Sequence, residues 1–224
     1  MPKNGLRLPN DKQRLAILGS TGSGKSMAAL WHLSNSNFDR MPWIIIDFKT
    51  DEHINAIENA RYISVDDPIP KHPGIYIVQP HPQEGEPLAK MLHRIWEREN
   101  VGIWIDEGYM MSEDARVEKR FTTLLTQGRS KHIPMIVLSQ RPVWISRFVF
   151  SESDFYQIFR LQDKRDVQTI SSFLPANAYR RMPDFHSLYY DVGGNALSFL
   201  SPVPDENSIL EKIDSKLRPL RKFL

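Results

Sequence analysis

Apolar positions in this chain fall into short, unbroken runs separated by longer stretches with helical spacing. The runs are Leu15-Ala-Ile-Leu18, Trp43-Ile-Ile-Ile46, Ile75-Tyr-Ile-Val78, Val101-Gly-Ile-Trp-Ile105, Met135-Ile-Val-Leu138 and Phe155-Tyr-Gln-Ile-Phe159. Runs this short, with little polar alternation and many β-branched or aromatic residues, read as strands buried on both faces. They predict strands over 14–19, 43–47, 75–78, 101–105, 135–138 and 155–159. Between them, residues 25–34 read as a helix, and residues 86–99 place Leu88, Met91, Leu92 and Ile95 on one side of another. Val117, Phe121, Leu124 and Leu125 form a helical stripe that stops at Gly128, a good helix terminator. Strand–helix alternation of this kind predicts an α/β fold with a mainly parallel central sheet flanked by helices. Near the end, Leu188–Val192 and Ala196–Leu200 flank Gly193-Gly-Asn195 and predict a β-hairpin. Ile209, Ile213 and Leu217 then mark a helix within residues 205–218, ending in the basic Arg218-Pro-Leu-Arg-Lys222. The expected division is a main domain over 1–204 and a C-terminal helix with a basic tail over 205–224.

Composition narrows the class. With 224 residues, 41% of them hydrophobic, the chain can bury a proper core as one large α/β domain or two small ones. The 29 basic and 27 acidic residues leave a formal charge of +2, which excludes a strongly basic nucleic-acid coat. Cysteine is absent, so disulfides and thiolate metal sites are excluded. No apolar run has the length of a membrane span, and the amino-terminal Met-Pro-Lys-Asn-Gly has no signal-peptide core. The expectation is a soluble, intracellular protein with no integral membrane segment.

The candidate chemistry begins directly after the first strand. Gly19-Ser20-Thr21-Gly22-Ser23-Gly24-Lys25-Ser26 is a complete phosphate-binding loop, or Walker A pattern, leading into the helix at Met27-Ala-Ala-Leu. Glycines let backbone N–H groups crowd around phosphate oxygens, and the helix that follows points its positive end at them. Lys25 can reach the outer phosphates, and the Ser26 hydroxyl can ligate Mg²⁺. The run Ile103-Trp-Ile-Asp106-Glu107 puts two carboxylates at the end of another strand, a Walker B pattern. Asp106 is the candidate for the Mg²⁺ shell and Glu107 for the general base that polarises an attacking water. A second acid here favours hydrolysis over phosphoryl transfer, and so argues against a small-molecule kinase. Gln140 ends the strand Val137-Leu-Ser139. It can sense a γ-phosphate or simply cap its own loop, and residue type alone does not separate the two.

Four blocks together carry a family resemblance: Gly19–Ser26, Ile46-Asp-Phe-Lys49, Ile105-Asp-Glu107 and Leu138-Ser-Gln-Arg-Pro142. In type and order they resemble the FtsK–HerA superfamily of P-loop DNA-pumping ATPases, with Ser139 where that family usually has threonine. The resemblance runs from residue 14 to about 175 and includes Asp163–Ile170. It implies a RecA-like core, ATP and Mg²⁺ as the working nucleotide and metal, a homo-oligomeric ring that is commonly a hexamer, and ATP-driven movement of DNA. The brevity of the chain resembles the minimal genome-packaging ATPases of membrane-containing icosahedral DNA viruses. That likeness implies double-stranded DNA and capsid or virion-vertex proteins as partners, in the host cytoplasm or on the virion. The alternatives are a conjugation or filamentous-phage assembly ATPase acting on single-stranded DNA or protein, and a nucleotide-dependent assembly switch without significant turnover. Such rings also imply an arginine donated to the neighbouring site, with Arg129 the first candidate, Arg141 the second and Arg147 the third. DNA-gripping candidates are Lys71-His72, Lys119-Arg120, Arg180-Arg181 and the tail residues Arg218, Arg221 and Lys222. The seven histidines show no metal-ligand spacing, and Trp43 and Trp104 read as core.

Overall fold

The computed structural model describes residues 6–81, 83–176, 178–180 and 182–218. Arg181, Arg221 and Lys222 lie outside the described residues. The chain runs β1 (Arg14–Leu18), α1 (Lys25–Ser34), β2 (Pro42–Ile46), α2 (Glu52–Asn55), β3 (Arg61–Tyr62), β4 (Gly74–Val78), α3 (Gly85–Arg98), β5 (Gly102–Ile105) and α4 (Ala115–Gln127). It continues with β6 (Met135–Ser139), α5 (Arg147–Ser151), β7 (Phe155–Ile158), α6 (Lys164–Ser171), β8 (Ser187–Asp191), β9 (Ala196–Leu200) and α7 (Glu206–Leu217). Short 3-10 turns cover Gly108–Ser112 and Pro142–Trp144.

The strands form one nine-stranded sheet in the order β3-β4-β2-β5-β6-β1-β7-β8-β9. Every pairing from β3 to β7 is parallel. The predicted hairpin is present as β8 and β9, and it extends the main sheet because β8 pairs antiparallel with β7.

Strand periodicity sorts the core into two layers. Leu15 and Ile17 of β1 face a cluster that includes Ala28, Leu30 and Leu33 of α1 and Ile209, Ile213 and Leu217 of α7. Ala16 and Leu18 face the opposite cluster, which holds the apolar stripes of α3 and α4. The C-terminal helix is therefore packed on the body of the domain. Lys216 Nζ donates to the carbonyls of Ser34 and Ser36 at 3.1 and 2.7 Å, which closes the carboxyl end of α1. Trp43 and Trp104 are core, as expected.

Four elements were not anticipated. α2 has four residues and β3 has two, too few for either to show a period. α5 has five residues, too few to show a helical period, and α6 buries only Asp166 and Ile170, so its apolar stripe is faint. Side-chain caps mark both starts, with Ser146 accepting from the Phe148 N–H and Asp163 from the Arg165 N–H.

A buried polar chain ties α1 to the sheet. The His32 ring nitrogen Nε2 meets Gln157 Oε1 at 2.7 Å, and Gln157 Nε2 donates to Ser187 Oγ at 2.9 Å. Burial pushes the His32 imidazole from its ordinary 6.5 down to about 4, with the Gln157 hydrogen bond opposing. The folded state resists a proton that the unfolded chain accepts. The contribution of this site is thus full above pH 6.5 and drains away as pH falls toward 4, by about 3 kcal/mol in all. Urea midpoints at pH 7 and 4.5 should drop less for His32→Gln than for the unaltered protein. An equal drop would mean that other groups carry the acid sensitivity.

Candidate active site

Parallel strands all present their carboxyl ends at one edge, where α/β folds bind ligands. The phosphate loop, Asp106, Glu107 and Gln140 converge there as expected, whereas Arg129 does not. The phosphate loop leaves β1, Asp106 and Glu107 follow β5, and Gln140 follows β6, which lies between them. The loop is fixed from both sides: the Gly19 N–H donates to Ser139 O at 3.2 Å, and the Ser20 N–H and hydroxyl both donate to Arg160 O, at 2.9 and 3.0 Å. Gly22 and Gly24 take φ of +68° and +103°, values that side chains with a Cβ rarely adopt. Gly24 heads α1, and the end carries neither a side-chain cap nor an acidic residue in its first turn. The positive end of the helix dipole is left for an anion.

Lys25 is buried and its Nζ donates to Ser20 O at 2.9 Å. Burial pulls its pKa down to about 8, with Glu107 opposing. A bound polyphosphate would offset the cost of that lost hydration. Ser23 is buried inside the loop and Thr21 Oγ1 donates to Gln140 Oε1 at 2.7 Å, so Gln140 touches the phosphate loop directly.

The Ser26 hydroxyl donates to Asp51 Oδ2 at 2.8 Å, not to Asp106. Asp51 was missed by sequence reasoning, and the turn that delivers it is built by Asp47. Asp47 Oδ1 accepts the N–H groups of Lys49 and Asp51 at 3.2 and 3.1 Å, and its Oδ2 accepts Gln79 Nε2 at 2.9 Å. Between them Thr50 holds φ +56°. The one available signal for Asp51 was its residue type, four positions after Asp47 and just before Glu52-His-Ile-Asn55.

The same turn aims Lys49 at Glu107 Oε2, with which it forms a close ion pair. The other oxygen, Oε1, accepts the Gln140 N–H at 3.3 Å. Glu107 is wholly buried. Asp106 is buried as well, and its Oδ1 has no hydrogen-bond partner. Burial pushes the Asp106 carboxyl up to about 7; Lys49 opposes this and the carboxylates of Asp47, Glu107 and Asp51 reinforce it.

The arginines behave differently. Arg129 follows α4 and pairs with Asp154 at 2.7 Å; Asp154 Oδ2 in turn accepts the N–H of Arg14, the first residue of β1. Arg129 thus sits at the amino edge of the sheet, opposite its own phosphate loop. Arg141 pairs with Asp163 and Asp166, both at 2.9 Å, and lies over the Trp144 ring. Arg147 is exposed on the first turn of α5. Among the DNA-gripping candidates, Lys71, Lys119 and Arg180 are exposed, and Arg218 pairs with Asp214. Among the described residues, none of these candidates lines the cleft beside the phosphate loop.

That cleft has a volume of about 610 Å³ and runs from Gln140 and Asp106 across Lys25 and Ser26 to Phe185 and the segment 201–205. A phosphate loop at the carboxyl edge of a parallel sheet, facing a buried Asp-Glu pair, defines a P-loop nucleoside triphosphatase. No family model matches the chain. It is 44% identical over 220 residues to the DNA packaging ATPase P9 of Enterobacteria phage PRD1, covering 93% of this chain and 95% of that one. At that similarity the chain belongs to the family of phage DNA packaging ATPases that includes P9. Among solved structures, it resembles the genome packaging NTPase B204 of Sulfolobus turreted icosahedral virus 2 in complex with ATP-gammaS (TM-score 0.68, 17% identity, 88% of this chain and 100% of that one). It also resembles EssC (ATPases 2 and 3) of Geobacillus thermodenitrificans (TM-score 0.66, 15% identity, 96% of this chain and 45% of that one). At these identities the two structures attest the fold.

Gly24 offers a direct test of the loop. A Cβ there would stand 3.3 Å from the Phe185 ring and 3.4 Å from that of Phe159, on a backbone with φ +103°. Gly24→Ala should weaken ATPγS binding by about tenfold or more, given a strain of roughly 1–2 kcal/mol. Calorimetric titration, with circular dichroism as a check on folding, measures this. Unchanged affinity would mean that the loop conformation does not matter for binding.

Proposed function

We propose that this chain is an ATP-hydrolysing motor that moves double-stranded DNA into a viral capsid. The observation that carries the reading is Glu107, a wholly buried carboxylate beside the phosphate loop, held by Lys49 and by the N–H of Gln140. Family membership alongside the DNA packaging ATPase P9 supports DNA as what is moved, and a capsid as its destination is the reading that packaging suggests.

The donor set fits Mg²⁺. Asp106 carries a buried oxygen without a hydrogen-bond partner, and Ser26 and Asp51 place a hydroxyl and a carboxylate at the head of α1. Among the described residues, no group of three or more His, Asp or Glu side chains makes a protein-only metal site. Mg²⁺ with nucleotide characteristically takes one or two protein oxygens plus phosphate oxygens and water. Ser26 would hold it directly and Asp106 through water, and it would neutralise charge on the outer phosphates.

The residues of the chain then divide the work. Lys25 exchanges Ser20 O for a phosphate oxygen. Glu107 accepts a proton from the attacking water once Lys49 withdraws from it. Gln140, hydrogen-bonded to Thr21, links the state of the outer phosphate to the loop that follows β6. Arg129 serves the next subunit of a ring, commonly six in such motors. Its position at the opposite sheet edge supports this role, because it cannot turn back to its own loop. The motor works in the host cytoplasm or at the virion vertex. Among the described residues, no helix is long and apolar enough to cross a membrane.

Purified protein should hydrolyse ATP with Mg²⁺ and be stimulated by double-stranded more than by single-stranded DNA. Lys25→Ala and Glu107→Gln should each lower turnover by about 100-fold or more. Preferential stimulation by single strands would favour a conjugation-type role. No turnover with either DNA would favour an assembly switch.

Arg129 has a separate test. Glu107→Gln subunits keep the arginine, and Arg129→Ala subunits keep the base. Mixing the two inactive variants should restore part of the activity if Arg129 acts across the interface. Mixtures as inactive as their components would remove Arg129 from that role.

A further inference from the structure

The far end of the cleft carries features that phosphate binding does not use. Phe185 is 55% exposed and holds φ +60°, a conformation that bulky residues seldom keep. Strain of this kind persists where the surroundings enforce it, and it concentrates at ligand clamps. Here the enforcement is visible. Asp184, the preceding residue, pairs with Arg160 at 2.8 Å, and the carbonyl of that same Arg160 fixes Ser20 of the phosphate loop. His186, the following residue, returns Nδ1 to Asp184 O at 2.9 Å and stacks on Phe199. The Phe185 ring is thereby pinned over the head of α1, close to Gly24.

The strap Pro202-Val203-Pro204, which joins β9 to α7, lines the same cleft as Phe185. The strap is tied down at its end, where Asp205 caps α7 and Glu206 meets the His53 ring at 2.7 Å. Lys25, Asp106 and Gln140 mark where the outer phosphates go. The opposite end, beyond Ser26, is where the nucleoside must emerge, and its walls are an aromatic face and an apolar strap.

Three of the polar side chains that line that end are already engaged. Gln157 spends its amide on His32 and Ser187, His53 meets Glu206, and Asp205 accepts both the N–H and the hydroxyl of Ser208. We propose that the purine base of the nucleotide lies between Phe185 and the Pro202–Pro204 strap and is held by its faces, so that guanine is accepted nearly as well as adenine. The proposal rests on the triphosphatase reading and adds to it a base site and a specificity. A ring gripped by its faces is recognised through stacking and apolar contact, which adenine and guanine share, whereas discrimination needs hydrogen bonds to the base edge.

The test compares three probes, ATPγS, GTPγS and inorganic tripolyphosphate, by calorimetric titration in the presence of Mg²⁺. The unaltered protein should bind the two nucleotides within about threefold of each other and tripolyphosphate more weakly, since the last lacks a base. Phe185→Ala should weaken both nucleotides by about tenfold and leave tripolyphosphate unchanged; Phe185→Tyr should keep nearly full affinity. Phe185→Gly removes the ring at a φ that glycine adopts freely, so its loss of affinity should match that of Phe185→Ala without a folding defect. Unchanged nucleotide affinity in both truncations, or an equal loss for tripolyphosphate, overturns the base site. A strong preference for ATPγS over GTPγS overturns the specificity. Binding of tripolyphosphate but of neither nucleotide overturns the base site alone, whereas binding of none of the three overturns the triphosphatase reading with it.

Discussion

Burying a carboxylate at the end of β5 demands a cation, and Lys49 supplies it. Glu107 is wholly enclosed, and an uncompensated charge there would cost several kcal/mol. The pair is one-sided: the glutamate side chain is 1% exposed and the lysine side chain 38%. If the pair opens, the lysine can move into solvent and the glutamate cannot. Much of the surrounding turn exists to keep that lysine in place. Asp47 folds the chain back on itself, Gln79 holds Asp47, and Thr50 accepts an unfavourable backbone angle. The same turn delivers Asp51 to Ser26. One local structure therefore controls both the candidate base and the head of the phosphate helix, although the two belong to different strands.

The parallel sheet imposes a second constraint. All strands from β3 to β7 place their carboxyl ends on the nucleotide side, so whatever precedes a strand lies on the far side. Arg129 comes before β6 and Asp154 before β7, and they meet there. Asp154 also holds the first residue of β1. A five-residue strand, roughly 17 Å long, then separates this ion pair from the phosphate loop. Anything that draws Arg129 away from Asp154 acts on the strand that carries the loop.

Most of the architecture was legible because buried parallel strands are unbroken apolar runs. β1, β2 and β4 to β7 fall within about two residues of their expected bounds, as does α1. The phosphate loop and the Asp-Glu pair were legible because their chemistry requires adjacent residues. What escaped depends on contacts across long separations. Lys49 was visible as part of a block, but its partner lies 58 positions away. Asp51 reaches Ser26 across 25 positions with no spacing rule behind it. Phe185 carries no signal at all, because an exposed phenylalanine in a loop looks like any other until its backbone angle and its neighbours are known.

The C-terminal segment changes meaning for the same reason. By sequence it was set apart as a helix and basic tail after residue 204. In the fold, α7 buries Ile209, Ile213 and Leu217 in the layer that α1 occupies, so it supports the helix that bears the phosphate loop. Its first residue, Glu206, meets His53 of α2, and α2 is the helix capped by Asp51. The connection from Ser26 through Asp51 and α2 to α7 is thus continuous. Displacing the strap between β9 and α7 would disturb the wall of the cleft and the helix behind the loop together. The helix α7 is on these grounds a structural part of the nucleotide site.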